Sequence, residues 1–335
     1  MTPGAPLKPD AAQIRQFLRE LQSASWMQPY LDWWPKYVYH SNHVENVANV
    51  LNHGELLSRN LAIQRGLLIR DCASPSIIAR LTDAEKDWAR IYFRPLAPTQ
   101  YANEGIRPKS QYEYGGAHMP VPVYLLFRSE TVLCHPDTCF TRGRLRHSSP
   151  IGTDAEFLRS IPFKRVFHHG PVPRTEGGVV VDARHAEVLV KDSLSLDHLL
   201  WIGCRSEPER ATLVSLLAPA VLERWRGRMV LERLGRQLFY KRGTFVETAD
   251  LGAERCRFTF YANIAREFRG PFHLQISWKG QDWGYYWERS DYYVKPQPEE
   301  FELDGPKQWY RVRVEFDGAL AYQGTYVAPT EPEVF

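Results

Sequence analysis

The fold is decided by one stretch, His185-Ala186-Glu187-Val188-Leu189-Val190-Lys191-Asp192-Ser193, which sets a carboxylate at the head of an apolar, β-branched run. Such a run predicts a buried strand, and residues 179–184 just before it form a second strand candidate. Glu187 is therefore expected inside the fold or on the wall of a cleft. Because an unpaired buried charge is costly, two explanations stand: a structural ion pair with Arg184 or His185, or a functional carboxylate.

A second informative stretch lies far upstream, Tyr39-His40-Ser41-Asn42-His43-Val44-Glu45-Asn46-Val47. Asn42, followed three residues later by Glu45, predicts a capping box at the start of a helix that Gly54 ends. His40 and Ser41 would then stand just ahead of a helix N-terminus. Free backbone N–H groups and the helix dipole favour an anion such as a diphosphate there.

Three motifs in this order resemble the DarT family of DNA ADP-ribosyltransferases: a His-x-x-His-x-x-Asn helix start, a Tyr-Phe-x-Pro segment at residues 92–95, and an Ala-Glu-Val-Leu-Val strand. The likeness spans residues 37–220. It implies an α+β fold with the split sheet of ADP-ribosyltransferases and NAD as co-substrate. The absence of a Gly-x-Gly-x-x-Gly motif agrees, because it argues against a Rossmann site.

The resemblance also assigns site residues. The family's NAD-binding histidine falls on His40, within a His-x-Thr-His motif in which Ser41 and Asn42 occupy the two middle positions. The catalytic glutamate falls on Glu187, and a tyrosine at the NAD site falls on Tyr92. Asn42 replaces a threonine but can still donate and accept hydrogen bonds.

The family's catalytic arginine is harder to place. Arg80 fits best by spacing, with Arg65, Arg70 and Arg94 as rivals. This chain also departs from the family's Arg-Ser-Pro, since residues 96–98 read Leu-Ala-Pro. The arginine would orient the diphosphate or the target base, while Glu187 would stabilise an oxocarbenium ion at the ribose.

The local pattern predicts further elements. Asp10 and Gln13 predict a capped N-terminal helix, and Asp154 predicts a short helix to Ser160. Strands are expected at 91–93, at 121–127, near Val132 and at 166–169, with a long functional loop at 95–120. Ser206 with Glu209 predicts another capping box. The basic residues of one loop, Arg142, Arg144, Arg146 and His147, are read as a solvated face or a phosphate patch.

The chain divides into an N-terminal helical extension (1–36), a DarT-like ADP-ribosyltransferase domain (37–228) and a β-rich accessory domain (236–335). Alternation at 310–316 followed by Asp317-Gly318 predicts a hairpin of a β-sandwich. Trp and Tyr residues crowd positions 278–293. They are interpreted either as sandwich core or as a platform on which bases of a single strand stack.

Composition restricts the class of protein. The 335 residues carry 24% charged and 44% hydrophobic residues and a net charge of +3, which is ordinary globular usage. Five cysteines without a secretory leader favour a cytoplasmic protein, and no apolar run predicts a membrane span. Cys134 and Cys139 lack a second cysteine pair, so no metal is expected.

Together these features predict an NAD-dependent ADP-ribosyltransferase that modifies a nucleobase of single-stranded DNA. It would act as a toxin or phage-defence effector, restrained by an antitoxin with a hydrolase or blocking role. The same chemistry on RNA is one alternative, because nothing in the sequence shows whether a 2′-hydroxyl is read. A catalytically silent nucleic-acid or protein-binding module is another.

Overall fold

A computed structural model describes residues 6–113, 116–145, 149–172, 175–233 and 236–329. The strands of the first unit are β1 Tyr37–His43, β2 Glu55–Leu57, β3 Trp88–Tyr92, β4 Pro122–Arg128, β5 Thr138–Phe140, β6 Glu187–Lys191, β7 Ser193–Ser195, β8 Leu199–Cys204 and β9 Met229–Leu231. The helices are α1 Ala11–Gln22, α2 Val44–His53, α3 Arg59–Gln64, α4 Pro75–Ile78, α5 Asp83–Lys86, α6 Pro98–Asn103, α7 Ser129–Leu133, α8 Ala155–Ser160, α9 Phe163–Val166, α10 Gly177–Ala183, α11 Glu207–Ser215 and α12 Pro219–Trp225.

The main sheet is split. Its order is β5-β6-β3-β1-β4-β8-β9, antiparallel except for the parallel β8–β9 pair. β1 pairs with β4 along its whole length but meets β3 only at Tyr39 opposite Tyr92. The two halves therefore diverge on either side of that contact, as the predicted α+β split sheet requires.

Strand β6 confirms the prediction for Glu187. Its successive residues 187–190 are all buried, so both faces of the sheet are covered at this point. The run at 179–184 is not a strand, however, but most of α10. Val180 and Ala183 are buried at helical spacing while Val179 and Val181 are exposed, so three-residue periodicity outweighed β-branched propensity.

Two other predicted strands are also wrong. The segment near Val132 is α7, where Val132 and Leu133 pack inward from one helical turn. Residues 166–169 form the end of α9 and the turn after it. Both stretches are short apolar runs, in which the spacing of apolar residues alone does not distinguish a strand from a helix.

The capping box at Asn42 is also wrong. His40, Ser41 and Asn42 lie in β1, and α2 begins after His43, which has no side-chain cap. Asn42 Oδ1 instead accepts from the N–H of His43 (2.8 Å) and the amide of Asn46 (2.9 Å). The end of α2 is as expected, at a left-handed Gly54.

Helices α1 and α8 form where predicted. The Asp10 side chain does not cap α1, but accepts from the N–H of Ala155 at the start of α8. Ser206 does cap α11, accepting from the N–H of Glu209. No helix in the described ranges has the length and apolar character that a membrane crossing requires.

The C-terminal unit is a pair of antiparallel sheets. Its strands are β10 Val246–Leu251, β11 Arg255–Phe260, β12 Phe272–Lys279, β13 Gly284–Tyr292, β14 Glu299–Glu302, β15 Trp309–Phe316 and β16 Ala319–Val327. One sheet has the order β10-β11-β14 and the other β13-β12-β15-β16, with a common apolar core. The predicted hairpin turn is present, because Asp317 and Gly318 both adopt positive φ.

The Trp and Tyr residues crowded at positions 278–293 differ in burial. Trp278 and Tyr292 are buried in the core, whereas Tyr285, Tyr286 and Tyr293 are about half exposed. The core interpretation thus holds for the first group. A base-stacking role for the exposed tyrosines stays a prediction.

A candidate active site at the split in the sheet

A cavity of about 360 Å³ opens where β1 and β3 diverge. Five of the six predicted site residues line it: His40, Ser41, Asn42, Tyr92 and Glu187. They come from three strands, and Tyr92 lies directly opposite Glu187 in the β3–β6 register. The fold thus brings together side chains that the sequence separates by more than a hundred positions.

Glu187 is a deeply buried carboxylate of this cavity, with 1% of its side chain exposed. Its backbone is fixed, since its N–H donates to Thr141 Oγ1 (3.0 Å) and its carbonyl accepts from the N–H of Thr141 (2.9 Å). Oε2 has no hydrogen-bond partner among the described residues, and the nearest cation, Arg90 Nη1, is 3.8 Å away. Burial raises the pKa of Glu187, and Arg90 and Arg144 oppose that shift.

The simpler explanation for Glu187 was an ion pair with one of its sequence neighbours. Arg184 instead contacts His168 Nδ1 (2.7 Å) and the carbonyl of Gly170 (3.1 Å). His185 lies 2.8 Å from the carbonyl of Val181 through Nδ1. Neither forms the predicted pair with Glu187 in the described part of the chain. The functional role of Glu187 stays a prediction.

His40 presents a hydrogen-bond acceptor to the cavity. Its Nδ1 lies 2.9 Å from the carbonyl of Arg90, which can only accept, so Nδ1 carries the proton. Nε2 is buried, has no partner in the described residues and is left with a free lone pair. Burial lowers the pKa of His40, which keeps the ring neutral.

The other predicted residues are held by local contacts. Tyr92 bonds to Thr99, and burial, then the charge of Glu187, raises its pKa to about 12. Ser41 bonds to the hydroxyl of Tyr124. The start of α2 offers fewer free donors than expected, because the N–H of Val44 donates to Val121.

The structure does not bring Arg80 into this group. Arg80 is exposed just beyond α4 and does not line the cavity. Of its rivals, Arg94 is buried but bonded to three backbone carbonyls, and Arg65 is exposed. Arg70 is half-buried and also outside the cavity lining.

Three arginines that the sequence did not assign to the site line the cavity, namely Arg59, Arg90 and Arg144. Arg90 stands two positions before Tyr92 on β3, so strand alternation puts both on one face and could have identified it. Its Nη2 is buried without a partner in the described ranges. Arg144 Nη2 lies 2.6 Å from His185 Nε2, which orients the guanidinium, while Arg146 and His147 of the same predicted patch lie outside the described residues.

The family model of DarT, described as ssDNA thymidine ADP-ribosyltransferase, matches residues 39–229, more than half of the chain. The chain belongs to the DarT family. It is therefore an NAD-dependent ADP-ribosyltransferase of single-stranded DNA, as the sequence predicted. Among the described residues no group of three or more His, Cys, Asp or Glu is placed to hold a metal ion.

Solved structures of DarT proteins are similar to part of this chain. Thermus sp. 2.9 DarT in complex with ADP-ribosylated ssDNA is 20% identical, covering 61% of this chain and 97% of its own, with a TM-score of 0.46. The same protein in complex with NAD+ gives 18% identity, 61% and 98% coverage and a TM-score of 0.44. Thermosipho africanus DarTG in complex with ADP-ribose gives 16% identity, 64% and 53% coverage and a TM-score of 0.43. A search of curated proteins finds no match.

Proposed function

We propose that the cavity holds NAD with its nicotinamide ribose beside Glu187, and that the acceptor is a thymidine base, the substrate in the family's description. One observation carries this proposal. Glu187 Oε2, His40 Nε2 and Arg90 Nη2 are buried in one cavity without hydrogen-bond partners in the described residues. Buried polar atoms are normally paired. Two open acceptors (Oε2 and Nε2) and one open donor (Nη2) in the same cavity are therefore suited to binding a polar ligand.

The chemistry follows from these groups. Transfer breaks the bond between ribose C1′ and the nicotinamide nitrogen, and positive charge develops on the ribose. The carboxylate of Glu187 stabilises that charge and accepts from the 2′-hydroxyl. A base nitrogen then bonds to C1′, and its proton leaves to Glu187 or to solvent.

The remaining residues position the dinucleotide. His40 Nε2 accepts from a ribose hydroxyl, and Tyr92 borders the nicotinamide ring. Ser41 and Asn42 continue the same wall along β1. We assign to Arg90, rather than Arg80, the contact with the diphosphate or the target base, because Arg90 has a free donor in the cavity and Arg80 is outside it.

We also propose a toxin or phage-defence role, restrained by an antitoxin that removes the modification or blocks the site. The support is chemical, since an ADP-ribose on a template base obstructs copying of the strand. Such an enzyme acts in the cytoplasm, where NAD and DNA meet. The acceptor base must be unpaired or flipped, which makes single strands the expected substrate.

The test is to incubate the protein with NAD and, separately, a single strand of DNA, its duplex and an RNA of the same sequence. Mass spectrometry should find an ADP-ribose adduct on the single-stranded DNA. Glu187→Gln should lower transfer about 10²–10³-fold while NAD affinity stays within about tenfold. Glu55→Gln is the matched control, because Glu55 also lines the cavity but is 40% exposed and paired with His53.

The control variant should transfer at nearly the wild-type rate. Near wild-type transfer by Glu187→Gln would remove Glu187 from the mechanism. Adducts on RNA at the rate seen for DNA would favour the alternative substrate. Absence of an adduct on every strand, with NAD bound, would favour the silent binding module.

A further inference from the structure

A fourth buried atom of the cavity has no partner in the described residues, and the mechanism above does not use it. Asn103 ends α6 and is 6% exposed, yet its side-chain oxygen Oδ1 makes no hydrogen bond. Asn103 lines the same cavity as Glu187. An unpaired buried amide oxygen is unfavourable unless a ligand or water satisfies it.

The orientation of this amide is fixed. Its Nδ2 donates to the carbonyl of Cys72 at 3.0 Å. Turning the amide over would set two acceptors, Oδ1 and the Cys72 carbonyl, against each other. Asn103 therefore presents an acceptor and not a donor, which restricts its ligand to a group that carries an N–H or O–H.

Contacts through Cys72 place Asn103 towards the His43 end of β1 and not its His40 end. The sulfur of its partner, Cys72, is in hydrogen-bonding contact with the backbone of His43. His43 is three residues along β1 from His40, whose ring is bonded to Arg90 beside Glu187. Three residues of strand span about 10 Å.

The cavity also has apolar walls that suit a flat ring. They include Leu67, Ile77, Ala102, Ala117 and Met119, and the N–H of Met119 donates to the carbonyl of Asn103. Nearby Asn46 does not compete for the same ligand atom, because its own amide is used by the backbone of residues 69–70 and by Asn42. Among the described residues that line the cavity, Asn103 thus offers an open hydrogen-bond acceptor.

We propose that Asn103 recognises the adenine of NAD by accepting a hydrogen bond from its 6-amino group. The proposal rests on the proposed function, since it takes NAD as the ligand and Glu187 as the position of the nicotinamide ribose. The nicotinamide ring is bonded to the reacting carbon through its nitrogen, so the ring and its carboxamide must lie at the Glu187 end. Adenine is the part of NAD farthest from that carbon, and its amine is the donor that a flat apolar slot with one acceptor selects.

The experiment compares NAD with nicotinamide hypoxanthine dinucleotide, which carries a carbonyl in place of the 6-amino group. Wild-type protein and one single-stranded DNA are used, and kcat/KM is measured for each dinucleotide. The wild type should prefer NAD by about tenfold, because the analogue leaves Oδ1 facing an acceptor. Asn103→Ala should bring the ratio close to one, mainly by raising KM for NAD.

Asn49→Ala is the matched control. Asn49 donates an equivalent amide bond to the carbonyl of Leu67, a cavity residue, but does not itself line the cavity. It should leave the preference for NAD unchanged, so it separates adenine recognition from support of the wall. KM for the DNA should stay within about twofold in both variants.

The outcomes are distinguishable. A wild type that uses both dinucleotides equally overturns the proposal without any variant, as does an Asn103→Ala protein that keeps the wild-type preference. A raised KM for DNA in Asn103→Ala would place the amide at the acceptor strand instead. If the wild type transfers ADP-ribose from neither dinucleotide, the proposed function fails and not only the assignment of Asn103.

Discussion

One glutamate is buried in the cavity and another at the junction between the two units. The two carboxylates differ in how many hydrogen-bond and ion-pair partners they have. Glu187, in the cavity, has an oxygen without a partner in the described residues and a cation no closer than 3.8 Å. Glu104, at the junction, accepts from the N–H groups of Tyr240 (2.9 Å) and Lys241 (2.8 Å) and pairs with Arg205 (3.4 Å). A buried carboxylate whose oxygens all have hydrogen-bond partners stabilises the fold, whereas one with an open oxygen is available to a ligand.

The junction also explains what the C-terminal unit does for the cavity. Glu104 directly follows α6, which forms part of the cavity wall. Gln100 of α6 donates to Glu104 (2.6 Å) and to the carbonyl of Leu238 (2.9 Å). A Cβ on Gly243 would lie 2.6 Å from the carbonyl carbon of Gly105, so the two backbones touch. The chain after β9 therefore braces the wall that carries Asn103.

The largest expected effect is that of ending the chain after Arg228. Leu238, Phe239 and Leu320 belong to the core of the first unit, and Glu104 would lose both backbone donors. Because buried apolar surface and a buried charge would be exposed or unpaired together, the shortened chain should not accumulate as folded protein. Expression with solubility and circular dichroism measures this, with the full chain in parallel.

A shortened chain that is soluble and unfolds cooperatively would contradict this prediction. It would show that the boundary at 228, expected from the sequence, separates two independent domains. The contact between the backbones of Gly105 and Gly243 would then not be needed to hold the cavity wall in place.

The next largest effect is expected from removing the cation of the buried ion cluster at the junction. Arg205 contacts Glu104 and Glu209, and all three side chains are fully buried. Arg205→Leu leaves two carboxylates without their cation, so the free energy of unfolding should fall by about 3–5 kcal/mol. Urea denaturation of the full chain measures this loss.

Arg210→Leu is the control for this variant. Arg210 pairs with Glu207 on the same helix, but that pair is 40% and 57% exposed. Its loss should cost about 0–1 kcal/mol. Equal losses in the two variants would mean that the buried cluster contributes no more than a surface pair.

The two glutamates show which features the sequence could predict and which it could not. The strand at Glu187, the C-terminal hairpin and the family follow from local pattern and motif. The sequence predicts a strand where α10 lies, because the buried face of this helix consists of only Val180 and Ala183, too few positions to define a period. Apart from Gln100, the partners of Glu104 come from segments about a hundred or more residues away, so no local pattern could reveal them.

The arginines show the same limit. Arg80 was chosen by spacing along the chain, but the cavity is formed by strands that pair across long separations. Arg90 carried a usable signal, since it shares a strand face with Tyr92. Asn103 carried none, because its open oxygen depends on the carbonyl of Cys72 holding its amide nitrogen.

The smallest expected effect concerns stability at the cavity itself. Burial raises the pKa of Glu187, so the folded state holds its proton at pH values where the unfolded chain has released it. The contribution of the neutral carboxyl is complete below the unfolded pKa of about 4.3 and is lost as pH rises through the folded value. Above that window the charged Glu187 weakens the fold.

Glu187→Gln removes this titration and keeps the shape. The variant should therefore be more stable than the wild type by about 0.5–2 kcal/mol at about pH 8, and the gain should shrink towards pH 5. Urea denaturation at a series of pH values measures the difference, and the common contributions of Glu104 and Glu209 cancel. A constant difference across the series would mean that Glu187 titrates alike in both states. A stability loss at high pH would mean that Arg90 and Arg144 already stabilise its charge, which would make Glu187 a structural residue like Glu104.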